Sequence, residues 1–170
     1  MQLIRNSRRD IPRITRLLDI NSNEPYPSCD LSNLAAHEFV LDGIKCASME
    51  GLLQSFKEKN PETQKKICAL AGSKAKFRGK NIEWWKDQIL YWKGKTIGRK
   101  SQEYQDLLDI AYEALAENEG FKRALLATDN AILGHSIGSR KASRTILTVG
   151  EFIRRLMKIR ERLQKEAKTP

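Results

Sequence analysis

From Ser48 onward the apolar residues recur mostly at the three- and four-residue spacing of helices, and most runs are headed by a residue suited to cap one. Met49, Leu52, Leu53 and Phe56 follow Ser48. Asn60-Pro61, a cap followed by a first-turn proline, opens a run carrying Ile67, Leu70 and Ala71. Asn81 heads a third, with Ile82, Trp85, Ile89 and Trp92. Ser101 heads a fourth, with Tyr104, Leu107, Leu108, Ala111, Tyr112 and Leu115 on one stripe, expected to end near Gly120. Thr148-Val149-Gly150-Glu151 is a capping box ahead of Phe152, Ile153, Leu156, Ile159 and Leu163. Little sheet can fit beside so much helix. Asp42-Gly43 between Phe39-Val40-Leu41 and Ile44-Lys45-Cys46 predicts a hairpin, because both central residues of a type I′ turn need positive φ. Ile11 to Leu17 alternates loosely as an early strand would, and Asn21 to Asp30 reads as a loop. The expected fold is α+β and predominantly helical, one domain over residues 1–170 with a small β-hairpin element.

A length of 170 residues fits one core, and 40% hydrophobic with 31% charged residues excludes both a disordered and a membrane-spanning chain. The basic N-terminus lacks the apolar stretch of a signal peptide, and three cysteines without metal-like spacing predict buried thiols in a reduced, cytoplasmic setting. No metal site is expected. The net charge of +10 favours polyanions. It is uneven: 101–120 holds no Lys or Arg, whereas the N-terminal arm, the stretch 74–100 and the last helix are basic.

Three groups of residues could carry chemistry. Glu50, Gln54 and Lys57 recur at helical spacing beside the apolar stripe of their helix, either shaping a polar pocket or forming a solvated face with an ordinary charge pair. Trp84, Trp85 and Trp92 lie among Lys86, Lys93, Lys95, Arg99 and Lys100, which suits a nucleotide surface, although Trp85 keeps core spacing. The loop from Gly134 to Lys141, with His135, Gly138 and Arg140, could bring backbone N–H groups to a phosphate, but it matches no P-loop or dinucleotide fingerprint.

Together these segments resemble the NADAR family (the YbiA-like superfamily) over about residues 23–162. Asn23-Glu24-Pro25-Tyr26, Leu31-Ser32-Asn33-Leu34 and His37-Glu38-Phe39-Val40-Leu41-Asp42-Gly43 are similar, in order, to the family's opening elements. Ser48-Met49-Glu50 and Gln54-Ser55-Phe56-Lys57 resemble its next helix, and Leu125-Leu126-Ala127-Thr128 and Leu156-Met157-Lys158-Ile159-Arg160 resemble later blocks. The chain departs from the family at Thr128-Asp129-Asn130, where Thr-Gly-Asp is usual, and around His135-Ser136-Ile137-Gly138.

The resemblance implies cleavage of a ribose N-glycosidic bond without a cofactor or metal. It is greatest to enzymes that remove ADP-ribose from guanine in DNA, often encoded beside a DNA ADP-ribosyltransferase toxin. ADP-ribosylated DNA is then the expected partner. Glu50 would act in acid–base chemistry, with Lys57 as a Schiff-base nucleophile or a phosphate contact. Asn33 and Gln54 would orient ribose hydroxyls, Trp92 would stack on a base, and Lys95, Arg99 and His135 would meet pyrophosphate or DNA backbone. The alternatives are an N-glycosidase of riboflavin-biosynthesis intermediates and a non-catalytic module that binds nucleic acid or ADP-ribose.

Overall fold

A computed structural model describes residues 15–170. Its elements in chain order are β1 (Leu17–Asp19), α1 (Ser28–Leu31), β2 (Phe39–Leu41), β3 (Ile44–Cys46), α2 (Met49–Ser55), α3 (Pro61–Cys68), α4 (Gly72–Arg78), β4 (Ile89–Trp92), β5 (Lys95–Gly98), α5 (Gln102–Leu115), α6 (Glu119–Ala127), β6 (Ile132–Gly134) and α7 (Val149–Lys168). The architecture is α+β, with the strands confined to three two-stranded sheets: β2–β3 and β4–β5 are hairpins, and β1 pairs in parallel with β6. Among the described residues no helix is long and apolar enough to cross a membrane.

The caps explain where helices begin. Ser48 Oγ accepts from Gly51 N, Asn60 Oδ1 from Glu62 N and Thr63 N, and Ser101 Oγ from Tyr104 N, so N–H groups that lack helical partners are satisfied. At α7 both bonds of the capping box form, between Thr148 and Glu151. The buried stripe of α5 (Tyr104, Leu108, Ala111, Tyr112, Leu115) lies at the centre of the core, with Phe56 of the α2 end, Trp92 of β4 and Phe152 and Leu156 of α7 around it. Each such burial contributes about 1.5–3 kcal/mol.

The Asp42-Gly43 turn takes the expected form, with φ of 49° and 79°. The stretch after Asn81 does not become a helix. Residues 89–98 form a second hairpin, turning at Lys93-Gly94 with φ of 48° and 82°. Ile89-Leu90-Tyr91-Trp92 is β-branched and aromatic, and Leu90 and Trp92 alternate inward, so period two prevails over the chance three-and-four spacing of Ile82, Trp85, Ile89 and Trp92. The indoles also exchange their expected places: Trp85 is 47% exposed and Trp84 only 7%. The helix from Ser101 ends at Leu115, and Asn118 caps a separate α6 in which Gly120 is internal. Helix α4, which the periodicity did not indicate, and the short α1, inside the expected loop, are further additions. Of the early strand only Leu17 falls in β1; its residues 11–14 lie outside the described ones. Cys46 and Cys68 are buried free thiols, and Cys29 is half-buried.

Candidate active site

Helix α2 is fixed at its N-terminus by three bonds that cross the fold. Ser48 Oγ donates to Leu70 O (2.9 Å), Ala47 N to Cys68 O (2.8 Å), and Glu50 N to Asn33 O (2.8 Å). Gly51 faces the end of α3 so closely that a Cβ there would lie 2.5 Å from Leu70 O. Past its C-terminal end, Gln64 is fully buried and donates to Ser55 O (3.0 Å) and Tyr91 O (2.8 Å), tying the helix to α3 and β4. The face so positioned carries Glu50, Gln54 and Lys57 into a cavity of about 370 Å³. Asn33 and His135 line the same cavity, as do Trp84, Phe152 and the loop Arg144-Thr145-Ile146-Leu147.

Gln54 Nε2 donates to Glu50 Oε1 at 2.8 Å, and Glu50 Oε2 has no hydrogen-bond partner among the described residues. Gln54 is 7% exposed and its Oε1 is a buried acceptor without a partner. Burial lowers the pKa of Lys57 below the ordinary lysine value, partly opposed by the Glu50 charge. Its Nζ has one long bond, 3.5 Å to Gly79 O, too weak to restore the solvation it loses. Asn33 Oδ1 accepts from the buried Tyr112 hydroxyl at 2.8 Å, which leaves Nδ2 to donate to a ligand. His135 Nδ1 faces Ile20 O at 2.7 Å and so carries the proton in the neutral ring, leaving Nε2 as an acceptor. Phe152 holds that ring edge-on at 5.2 Å between centroids.

Of the eight expected residues the structure thus brings together five: Asn33, Glu50, Gln54, Lys57 and His135. The other three lie outside the cavity. Trp92 is buried in the core, its Nε1 donating to Asp42 Oδ2 at 2.7 Å and its ring edge-on to Phe56, so it joins the two hairpins. Lys95 is exposed at the start of β5. Arg99 is 1% exposed and held on three sides: its Nη1 and Nη2 donate to Glu151 (3.0 and 2.8 Å), Nε donates to Thr145 O (2.7 Å), and the guanidinium lies 5.0 Å over the Tyr104 ring. Buried outside the cavity, it is out of reach of a phosphate, and together with Tyr104, whose hydroxyl donates to Ile146 O, it fastens the cavity's 144–147 loop. Burial alone would raise the Glu151 carboxyl; Arg99, the Thr148 N–H and Gln105 outweigh it and bring it to about 2.

Sequence reasoning placed Trp84 in the indole group but chose Trp92 for the site, and it missed Arg144 as a cation of the cavity. Trp84 sits off the helical stripe that drew attention to its neighbours, and Arg144 follows the glycine loop rather than lying in it. The glycine of that loop is needed for space: a Cβ on Gly138 would lie 2.5 Å from the His135 ring.

Glu50 and Gln54 thus lie on one short helix with Lys57 just past its end, in an α+β domain that belongs to the YbiA-like, NADAR class of proteins. Within that class the chain is a member of the bacteriophage protein GP30.3 family, whose profile matches residues 25–161. It is 42% identical over 149 residues to an uncharacterized 17.1 kDa protein in the Gp30–rIII intergenic region of Enterobacteria phage T4, covering 86% of this chain and 98% of that one. In three dimensions it resembles the NMR structure of the Escherichia coli protein YbiA with a TM-score of 0.55, over 91% of this chain and 92% of the other. At 18% identity that likeness is one of fold. Membership of the class supports a glycohydrolase type of activity in the broad sense.

Proposed function

We propose that this protein is a glycohydrolase that removes ADP-ribose from guanine in DNA. The observation that carries the reading is the convergence of Glu50 and a desolvated Lys57 in one cavity, with Asn33 and Gln54 beside them to hold sugar hydroxyls. In the proposed reaction the neutral Lys57 amine attacks ribose C1. The C1–N bond to guanine breaks, its electron pair leaves with the base, and the base takes up a proton. The C1–O4′ ring bond then breaks as the remaining N–H proton passes from Lys57 by way of Glu50 to O4′, leaving an open-chain imine. Water then adds to that imine, ADP-ribose departs, and Lys57 returns as the amine. Arg144 and the Nε2 acceptor of His135 are placed to contact pyrophosphate and a hydroxyl, and Trp84 to stack on a ring.

Size favours an extended substrate over a riboflavin intermediate. About 370 Å³ is at the low end for a ligand site, but two further hollows adjoin it. A second hollow of about 310 Å³ shares Lys57 and Trp84 with it, and a groove of about 840 Å³ shares His135. A sugar phosphate with one small ring needs only the first.

The test is incubation with DNA carrying ADP-ribose on guanine, comparing the intact protein with Glu50→Gln and Lys57→Ala. Release of ADP-ribose abolished by both substitutions is expected. Release that survives both refutes the site, and turnover of riboflavin intermediates alone refutes the substrate. Binding without turnover of either would establish the non-catalytic module.

A further inference from the structure

The groove of about 840 Å³ lies between β1, β6 and α7, on the far side of His135 from the catalytic cavity. Its floor is apolar, with Leu17 69% and Met157 44% exposed and the half-buried Ile153 of α7 beside them. Two arginines line it, Arg140 and Arg154, and neither forms an ion pair with a described residue. The carboxylate in the lining is already engaged: Asp19 accepts from Ser136 N at 2.7 Å and Ser136 Oγ at 2.6 Å.

We infer that this groove seats the unpaired nucleotides that flank the modified base, with base faces on the apolar floor and phosphates on Arg140 and Arg154. The inference rests on the DNA reading above and extends it. A base whose glycosidic nitrogen is to be reached at the cavity must leave the duplex stack, and its neighbours then expose apolar faces that need a new cover. A surface that offers apolar side chains and free guanidinium groups side by side fits such a strand, in which bases and phosphates alternate. Continuity supports it too, since His135 lines both the cavity and the groove. A second copy of this chain fits less well, because a two-fold contact would set the same arginines against each other.

Two measurements on the full chain test this. The first is binding of a fluorescein-labelled, unmodified single-stranded oligonucleotide across a salt series. The second is turnover of an ADP-ribosylated oligonucleotide beside the ADP-ribosylated nucleoside alone. Arg140→Ala with Arg154→Ala is expected to weaken oligonucleotide binding about tenfold at low salt. It should also flatten the salt dependence by about 1.4 in log–log slope, the value for two phosphate contacts on a single strand. The double variant should raise KM for the modified oligonucleotide by a similar factor and leave the nucleoside unchanged. Met157→Asp should weaken oligonucleotide binding without altering nucleoside turnover. Unchanged oligonucleotide binding in both variants overturns the inference, as does an equal loss on oligonucleotide and nucleoside. A wild-type dimer in sedimentation that Met157→Asp dissolves also overturns it, in favour of self-association. If neither modified substrate is turned over, the DNA-repair reading fails, and the binding series by itself decides whether the groove takes a nucleic-acid strand.

Discussion

Gly79→Ala separates the catalytic from the structural demands on the cavity. Gly79 follows α4 with φ of −92° and ψ of 4°, a conformation open to alanine, so the substitution meets no backbone penalty. Space is the constraint. A Cβ at this position would lie 2.2 Å from Gln54 Oε1 and 3.1 Å from Lys57 Cδ. Ordinary contact requires Gln54 to retreat by about 1 Å, which it can do only by rotating its amide and loosening its 2.8 Å bond to Glu50. Gln54 is the end of a flexible side chain, so the overpacking costs about 1–2 kcal/mol, and the melting temperature falls by about 2–8 °C. The effect on turnover is larger, because Gln54 holds Glu50, and a misplacement of about 1 Å passed on to the reacting groups lowers the rate by about 100-fold. The assay is ADP-ribose release under saturating substrate beside a thermal melt. Adding Gln54→Ala removes the clash, so the double variant should be more stable than the sum of the two single effects allows. Turnover within about threefold of wild type would refute the claim that this empty Cβ position holds the reacting groups in register.

Four other expectations concern titration and packing. If Lys57 reacts as an amine, activity should rise with pH below the range of an ordinary lysine, and borohydride added during turnover should trap a lysine–ribose adduct. Glu50→Gln removes a charge that raises the Lys57 pKa and should move its titration, followed by NMR of the reductively methylated protein, to lower pH; a shift upward would contradict the pairing. The folded Glu151 carboxyl titrates at about 2 against an ordinary value of 4.5, so the folded state binds fewer protons between these values. Its contribution, about 2 kcal/mol after solvent screening, is complete above pH 4.5 and is lost as pH falls toward 2; urea titrations of wild type and Glu151→Gln should converge there. In Gly51→Ala the new Cβ meets backbone oxygens at 2.5 and 3.0 Å that cannot move cheaply, so a loss of about 3 kcal/mol, read as a lower urea midpoint at constant slope, is expected.

What could be read from the sequence was whatever depends on near neighbours. The Asp42-Gly43 hairpin, the caps at Ser48, Asn60 and Ser101, and the shared face of Glu50, Gln54 and Lys57 all rest on offsets of a few residues. Lys93-Gly94 carries a turn of the same geometry, but lysine is a weaker mark of positive φ than aspartate, and the chance spacing of four apolar residues concealed it. Asn33 reached the site through family resemblance, and His135 through its glycine-punctuated loop, where the chain departs from the family. Arg99 illustrates the opposite limit. Its partner Glu151 is 52 positions away, and no local pattern distinguishes an arginine waiting for phosphate from one already paired with a buried carboxylate. Gly79 gave no signal either, because its importance lies in the side chains of another helix.

The helix that carries Glu50 and Gln54, with Lys57 just past its end, is only seven residues long, well below the length at which an isolated peptide holds helical form in water. Its shape is imposed by the partners at its two ends, Leu70 and Asn33 at one and Gln64 at the other. The reacting groups therefore acquire their spacing only when α3, the second hairpin and the Asn33 turn have all docked. Heat inactivation should consequently track the loss of the whole cooperative core rather than the fraying of one segment. No excised fragment would retain partial activity, and any ligand that orders this short helix would draw its stabilising effect from the entire domain.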